Sequence, residues 1–176
     1  VAVPGLLTTA NLLLTLHGGF QGPRREMLFS EIMPAVARGD ADLGVIIHEG
    51  RFTYQGVGLT KILDLGEWWE GAFHVPLPLG AIAVRRDVPP ETAEAVQAAI
   101  AGSLRHARAH PEASRDFIRS HAQELDDAVT RAHIETFVTD YSLDLGEAGR
   151  KAIELLVGRA AALEGRRIPD EGLFLR

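Results

Sequence analysis

Ala41-Asp42-Leu43-Gly44-Val45-Ile46-Ile47-His48-Glu49-Gly50-Arg51-Phe52-Thr53-Tyr54 decides how the rest of the chain is read. The unbroken apolar run over residues 43–47 predicts a strand covered on both faces, the habit of parallel sheets in α/β proteins. It stops at His48-Glu49-Gly50, and ligands of such sheets gather at the carboxyl ends of the strands. His48 is therefore a candidate base, since imidazole can take or give a proton near neutral pH. A strand-end histidine bonded to a loop carbonyl is the competing structural reading.

Immediately upstream, Ser30 is placed to cap a helix over residues 31–38, with Pro34 near its first turn and Gly39 at its end. Helix, glycine, Asp40-Ala41-Asp42 and strand in that order form a βαβ-type crossover, which predicts parallel pairing and a right-handed connection. Further back, Val1-Ala2-Val3 is a short strand ended by Pro4-Gly5, and residues 24–29 suit a second. Thr8-Thr9-Ala10 opens a helix that Gly18-Gly19 closes. A helix start with free amides can hold a carboxylate, so the strand, the glycine turn and Thr8-Thr9 form a plausible carboxylate site; plain capping is the alternative.

Downstream of His48 a loop carrying Arg51, Phe52 and Tyr54 is expected, then strands over residues 61–65 and 81–84. Trp68-Trp69 could line a pocket for a flat ligand, although core packing of one ring is the commoner fate. At Pro89-Pro90 the texture changes. Beyond it the pattern is helical over residues 91–109, from Pro111, from Asp126-Asp127 and over 147–163, with a turn at Tyr141-Ser142-Leu143-Asp144 and a loop-like tail from Arg166. The expected organisation is a strand-rich α/β lobe, residues 1–87, and a helical C-terminal part, residues 88–176, packing on it.

Apolar content of 46% and charged content of 24% suit a soluble globular protein, and 176 residues suffice for one domain or two small lobes. The formal net charge of −6 argues against nucleic acid or an anionic membrane surface as the main partner. Without cysteine there are no disulfides, thiolate metal sites or cysteine nucleophiles, which is compatible with a cytoplasmic protein. No apolar run reaches the length of a membrane span. The chain opens on Val1, inside an apparent strand, and is expected to be part of a longer protein. His106 and His110 are four apart on a helix, a spacing that can hold zinc, but no glutamate follows His106, and two exposed histidines are the simpler reading. No phosphate loop and no Gly-x-Ser-x-Gly elbow occurs, so base chemistry rests on His48.

Several blocks, in order, carry a resemblance. Val1-Ala2-Val3-Pro4-Gly5 with Thr8-Thr9-Ala10, the Leu43-to-Glu49 block with Arg51-Phe52-Thr53-Tyr54, Asp64-Leu65-Gly66-Glu67-Trp68-Trp69, Pro76-Leu77-Pro78-Leu79-Gly80, His121-Ala122-Gln123-Glu124-Leu125 and Tyr141-Ser142-Leu143-Asp144 resemble the 1,4-dihydroxy-6-naphthoate synthases of the futalosine route to menaquinone. The resemblance implies a periplasmic-binding-protein-like type II fold, of which this chain would be the second lobe plus C-terminal helices, the first lobe being incomplete. It implies a lyase that converts cyclic dehypoxanthine futalosine without metal or organic cofactor. In that reading His48 is the proton acceptor, and Thr9 and Ala10 contact the substrate. The family's N-terminal segment, which builds most of its first lobe, has no counterpart here, so activity is expected to need that lobe. Partners beyond a small-molecule substrate are not implied, and oligomeric state is left open. The rivals are a non-catalytic solute-binding protein of the same fold and a helical interaction module formed by residues 91–163.

Overall fold

The computed structural model describes residues 1–122 and 126–174. The Gln123-Glu124-Leu125 part of the fifth resembling block and the last two residues of the tail lie outside the described residues. The first strand, β1 (Ala2–Val3), is fully buried. It leads through Pro4-Gly5 into α1 (Thr9–His17). Thr8 caps that helix: its hydroxyl accepts from the Asn11 N–H and donates to the Gly5 carbonyl at 2.7 Å. The buried Asn11 side chain donates to the Leu6 carbonyl at 2.8 Å and accepts from the Arg24 guanidinium. Arg24 also donates to Thr15 Oγ at 2.6 Å, so one cation pins the helix to the segment that enters the next strand.

That strand, β2 (Arg25–Glu26), pairs parallel with β1 in the register Ala2↔Arg25. On the other side of β1, Ala2 bridges Gly44 in parallel; the Ala2 N–H donates to Leu43 O at 2.8 Å and the Val45 N–H to Ala2 O at 2.9 Å. β1 is thus the middle of a small parallel sheet, as the crossover pattern predicts. Between the flanking segments runs α2 (Phe29–Arg38), which starts one residue before Ser30 and has no side-chain cap. It closes at Gly39, whose φ of +81° is the left-handed conformation that glycine adopts at no steric cost.

Gly44 is required by a close approach. A Cβ there would stand 2.5 Å from Cγ2 of the fully buried Ile32 and 2.9 Å from Cγ2 of Val36. Both neighbours are β-branched and stiff at χ1. We expect Gly44→Ala to cost about 1–3 kcal/mol through overpacking, read as a fall in the urea midpoint at unchanged slope; an unchanged midpoint would show that α2 can move away freely.

The central stretch is shorter as a strand than its composition suggests. Only residues 43–45 engage the sheet; Val45 is buried, but Ile46 and Ile47 are half-buried and His48 turns the chain with φ +55°. The loop expected after it is instead α3 (Gly50–Thr53) followed by a 3-10 turn, Tyr54–Val57. The strand expected over residues 61–65 is also corrected. Asp64 N-caps α4 (Leu65–Phe73), accepting from the N–H groups of Gly66 at 2.9 Å and Glu67 at 3.2 Å, and it pairs with Arg51 at 2.8 Å. Residues 81–84 are extended but unpaired, with Ile82 79% exposed. Periodicity reports an extended backbone; a strand also needs a neighbouring ladder, and among the described residues none adjoins this one.

The larger core cluster joins α1 and α4 to the chain's last helix. Leu13, Trp69, Val75, Ala152 and Leu156 are buried together, with Trp68, Phe73 and Leu77 against them. A smaller cluster of Val3, Leu14 and Val45 sits beside it, with Ala10 and Phe20 packed on. Trp69 is fully buried and its Nε1–H donates to Pro76 O at 3.2 Å, so core packing is the fate of this ring. After Asp87 the described residues are helical: α5 (Pro90–Ala109), α6 (Arg115–His121), α7 (Asp127–Phe137, capped by Asp126) and α8 (Gly146–Leu163). Only α8 of these supplies the larger cluster. α5 has no buried residue, and its Val96 is 52% exposed. The architecture is mixed α/β, mostly helical, around a small parallel sheet.

Candidate active site

His48 is placed by backbone geometry before any side-chain contact. Its left-handed φ is uncommon for a residue other than glycine, and such conformations persist where the surroundings hold them. The chain leaves the sheet there and enters α3, so Glu49 already has helical angles of −62° and −22°. Alternation of side chains across a strand therefore does not apply at residues 48 and 49, and both line the same cavity.

That cavity, of about 290 Å³, is bounded by Phe29 at the start of α2, by Ile118 from α6 and Ala122 just after it, and by Val129, Thr130, His133 and Ile134 from α7. Its wall is mainly apolar, a surface suited to a flat hydrophobic ligand with a few convergent polar groups. Phe29 meets His48 edge-on, with ring centroids 5.2 Å apart at 73°. Across the cavity His133 lies nearly parallel to His48, centroids 6.2 Å apart at 21°. Phe137, one turn further along α7, packs against His133 with ring centroids 4.6 Å apart.

Thr9 and Ala10 begin α1, directly after β1, while His48 follows the segment paired beside β1. The parallel pairing brings both to the carboxyl edge of the sheet. The lining of the His48 cavity, however, includes neither Thr9 nor Ala10, and Ala10 packs on the Val3–Leu14–Val45 cluster. The capping hydroxyl is that of Thr8, which leaves the Thr9 side chain outside the cap. His106 and His110 stand with ring centroids 4.8 Å apart near the end of α5, both exposed. Among the described residues no group of three or more His, Asp or Glu side chains could hold a metal ion. The Arg85 guanidinium holds the Asp87 carboxyl below the ordinary carboxylate range, but that pair is fully exposed and outside the cavity.

Sequence reasoning missed Phe29, Glu49 and His133 as members of this site. The signal for His133 was present in Val129-x-x-x-His133-x-x-x-Phe137, a histidine set within an apolar helical stripe. Among the described residues no helix is long and apolar enough to cross a membrane.

Two curated relatives are named 1,4-dihydroxy-6-naphtoate synthase. One, from Thermus thermophilus, is 47% identical over 162 residues, 92% of this chain and 59% of its own length. The other, from Streptomyces coelicolor, is 46% identical over 168 residues, with the same shares covered. The chain thus spans about three fifths of the length of these relatives. A structural-genomics crystal structure of a protein from Archaeoglobus fulgidus superposes with a TM-score of 0.84 at 36% identity, over 93% of this chain and 61% of that one. The family model for menaquinone biosynthesis matches residues 1–162, a span that takes in the sheet, the cavity and both imidazoles, and the chain belongs to that family.

Proposed function

We propose that this chain carries the base-bearing part of a 1,4-dihydroxy-6-naphthoate synthase, a lyase that forms the naphthoate ring from cyclic dehypoxanthine futalosine. The observation that carries the reading is His48: a strand-edge imidazole in a strained turn, opening into an apolar cavity, within the span matched by relatives that bear this name. A neutral imidazole within hydrogen-bond reach of a C–H next to a carbonyl can remove that proton. Return of the electron pair from the enolate expels the sugar-derived part, and formation of an aromatic ring drives the step. One positioned base suffices, and no cofactor is invoked.

Thr9 and Ala10 complete the reading as contacts for a polar arm of the substrate at the same sheet edge. The free amides at the start of α1 suit a carboxylate, as helix N-termini do generally. Residues 1–87 form the lobe carrying these groups and residues 88–176 the helical part, within a periplasmic-binding-protein-like type II arrangement whose other lobe faces the cavity; α7 supplies a wall from the helical part. A biosynthetic role on a small molecule fits a cytoplasmic location.

The test is incubation of the chain, alone and with the N-terminal part of the Thermus relative supplied, with cyclic dehypoxanthine futalosine, following the naphthoate chromatographically. Naphthoate formation is the expected result. Saturable binding of the cyclic substrate with no product in either preparation would favour a solute-binding protein instead.

A further inference from the structure

The cavity holds a second imidazole that the base chemistry above leaves unused. We propose that His133 is the electrophilic partner of His48: its ring N–H donates to the substrate's carbonyl oxygen while His48 takes the adjacent proton. The inference rests on the proposed lyase reading and adds a residue to it.

Three observations carry it. The two rings line one apolar cavity, nearly parallel, with centroids 6.2 Å apart. Among the described residues no hydrogen bond joins them. An imidazole donates and accepts in its ring plane, so a small enolisable unit would be met at the ring edges, each nitrogen reaching about 2.6–3.2 Å to a reacting atom. Each ring also packs against an aromatic neighbour, Phe29 for His48 and Phe137 for His133. Fixed donors aimed at developing charge are what an oxyanion site requires. Finally, the other lining groups cannot serve as well. Ile118, Ala122, Val129 and Ile134 offer no donor, the Glu49 carboxylate would repel an enolate, and Thr130 has a single rotatable hydroxyl.

The step balances without an oxidant. The C–H bond breaks and an N–H bond forms on His48; the electron pair moves to the carbonyl oxygen, where the His133 N–H stabilises the negative charge. The pair then returns, the bond to the sugar-derived part breaks, and that fragment takes the proton held by His48, regenerating the base. A neutral imidazole has one N–H and one lone pair, so the two histidines divide the two duties between them.

The variants are His133→Phe, which keeps a ring against Phe137, and His133→Ala, which leaves room for added imidazole. In the turnover assay, His133→Phe should lower kcat about 10²–10³-fold with KM changed only a few-fold, the loss typical of one missing oxyanion donor. Millimolar imidazole should restore part of the His133→Ala rate and none of the His133→Phe rate. Thermal melts of both variants identify loss of fold as a separate cause. Near-native kcat in folded His133→Phe would overturn the inference while leaving the lyase reading intact. No turnover by the unaltered protein would instead remove that reading, and the role of His133 with it.

Discussion

Trp69→Ala is expected to be the most damaging core substitution in the chain. The indole is fully buried, the largest side chain in that state, and sits where α1, α4 and α8 meet through Leu13, Ala152 and Leu156. Truncating a buried Trp costs about 3–5 kcal/mol, part in lost transfer energy and part in the cavity left behind. Domains of this kind have about 5–15 kcal/mol in total, so the loss consumes a large share. At roughly 2–4 °C per kcal/mol for this size, the thermal midpoint should fall by about 6–20 °C. Trp69→Phe separates packing from polarity. It retains a ring against Phe73, whose centroid lies 4.4 Å away, and gives up the bond to Pro76 O, worth about 0.5–1.5 kcal/mol. A midpoint shift in Trp69→Ala no larger than in Trp69→Phe would mean that the core collapses around the hole.

The sheet's parallel sense was legible because it follows from local order: strand, helix, glycine, strand leaves little alternative once the connection is short. The helices after Pro89 were legible for a related reason. Their starts are written in single residues, a proline pair for α5 and Asp126 for α7, and the structure uses both. The strand expected over residues 61–65 failed on competing local signals. The Ile62-Leu63 pair suggests extended backbone, whereas Asp64-Leu65-Gly66-Glu67 is a capping-box spacing, and the cap prevails because it satisfies two orphan N–H groups at once. Residues 81–84 failed differently. Their backbone is extended, but pairing depends on a neighbour that local sequence does not name.

The site was half legible. His48 could be placed at a sheet edge because the apolar run before it points to a strand and the residues after it to a turn. Its left-handed backbone could not, since that conformation is rare outside glycine and is imposed by what surrounds the residue. Strand alternation alone would put Glu49 on the face opposite His48, and the turn at His48 removes that premise. His133 lies 85 residues further along and reaches the cavity because α7 supplies one of its walls. Its stripe marks an inward face of α7 without saying what that face covers. Long-range packing of this kind is the part of a site that local pattern cannot encode.

His48→Asn should lower kcat by about 10²–10⁴-fold, the usual contribution of a positioned general base, with KM little changed. In free energy that is about 2.7–5.5 kcal/mol of transition-state stabilisation. Asparagine is the informative replacement on two grounds. It keeps a planar polar group of similar reach beside Phe29 while removing the nitrogen that accepts the proton. It also tolerates the left-handed backbone that this position demands, so the fold and the turn into α3 should survive. His48→Val would confuse the two effects, because a β-branched residue at φ +55° adds backbone strain to the loss of the base. Combining His48→Asn with His133→Phe tests whether the rings act as a unit. If both serve one proton-transfer step, the double variant should be little slower than the worse single one, since losses within a catalytic unit do not add. Near-native turnover by a folded asparagine variant would remove His48 as the base, and the cavity would then have Glu49 and His133 as its remaining ionisable groups to carry the proton.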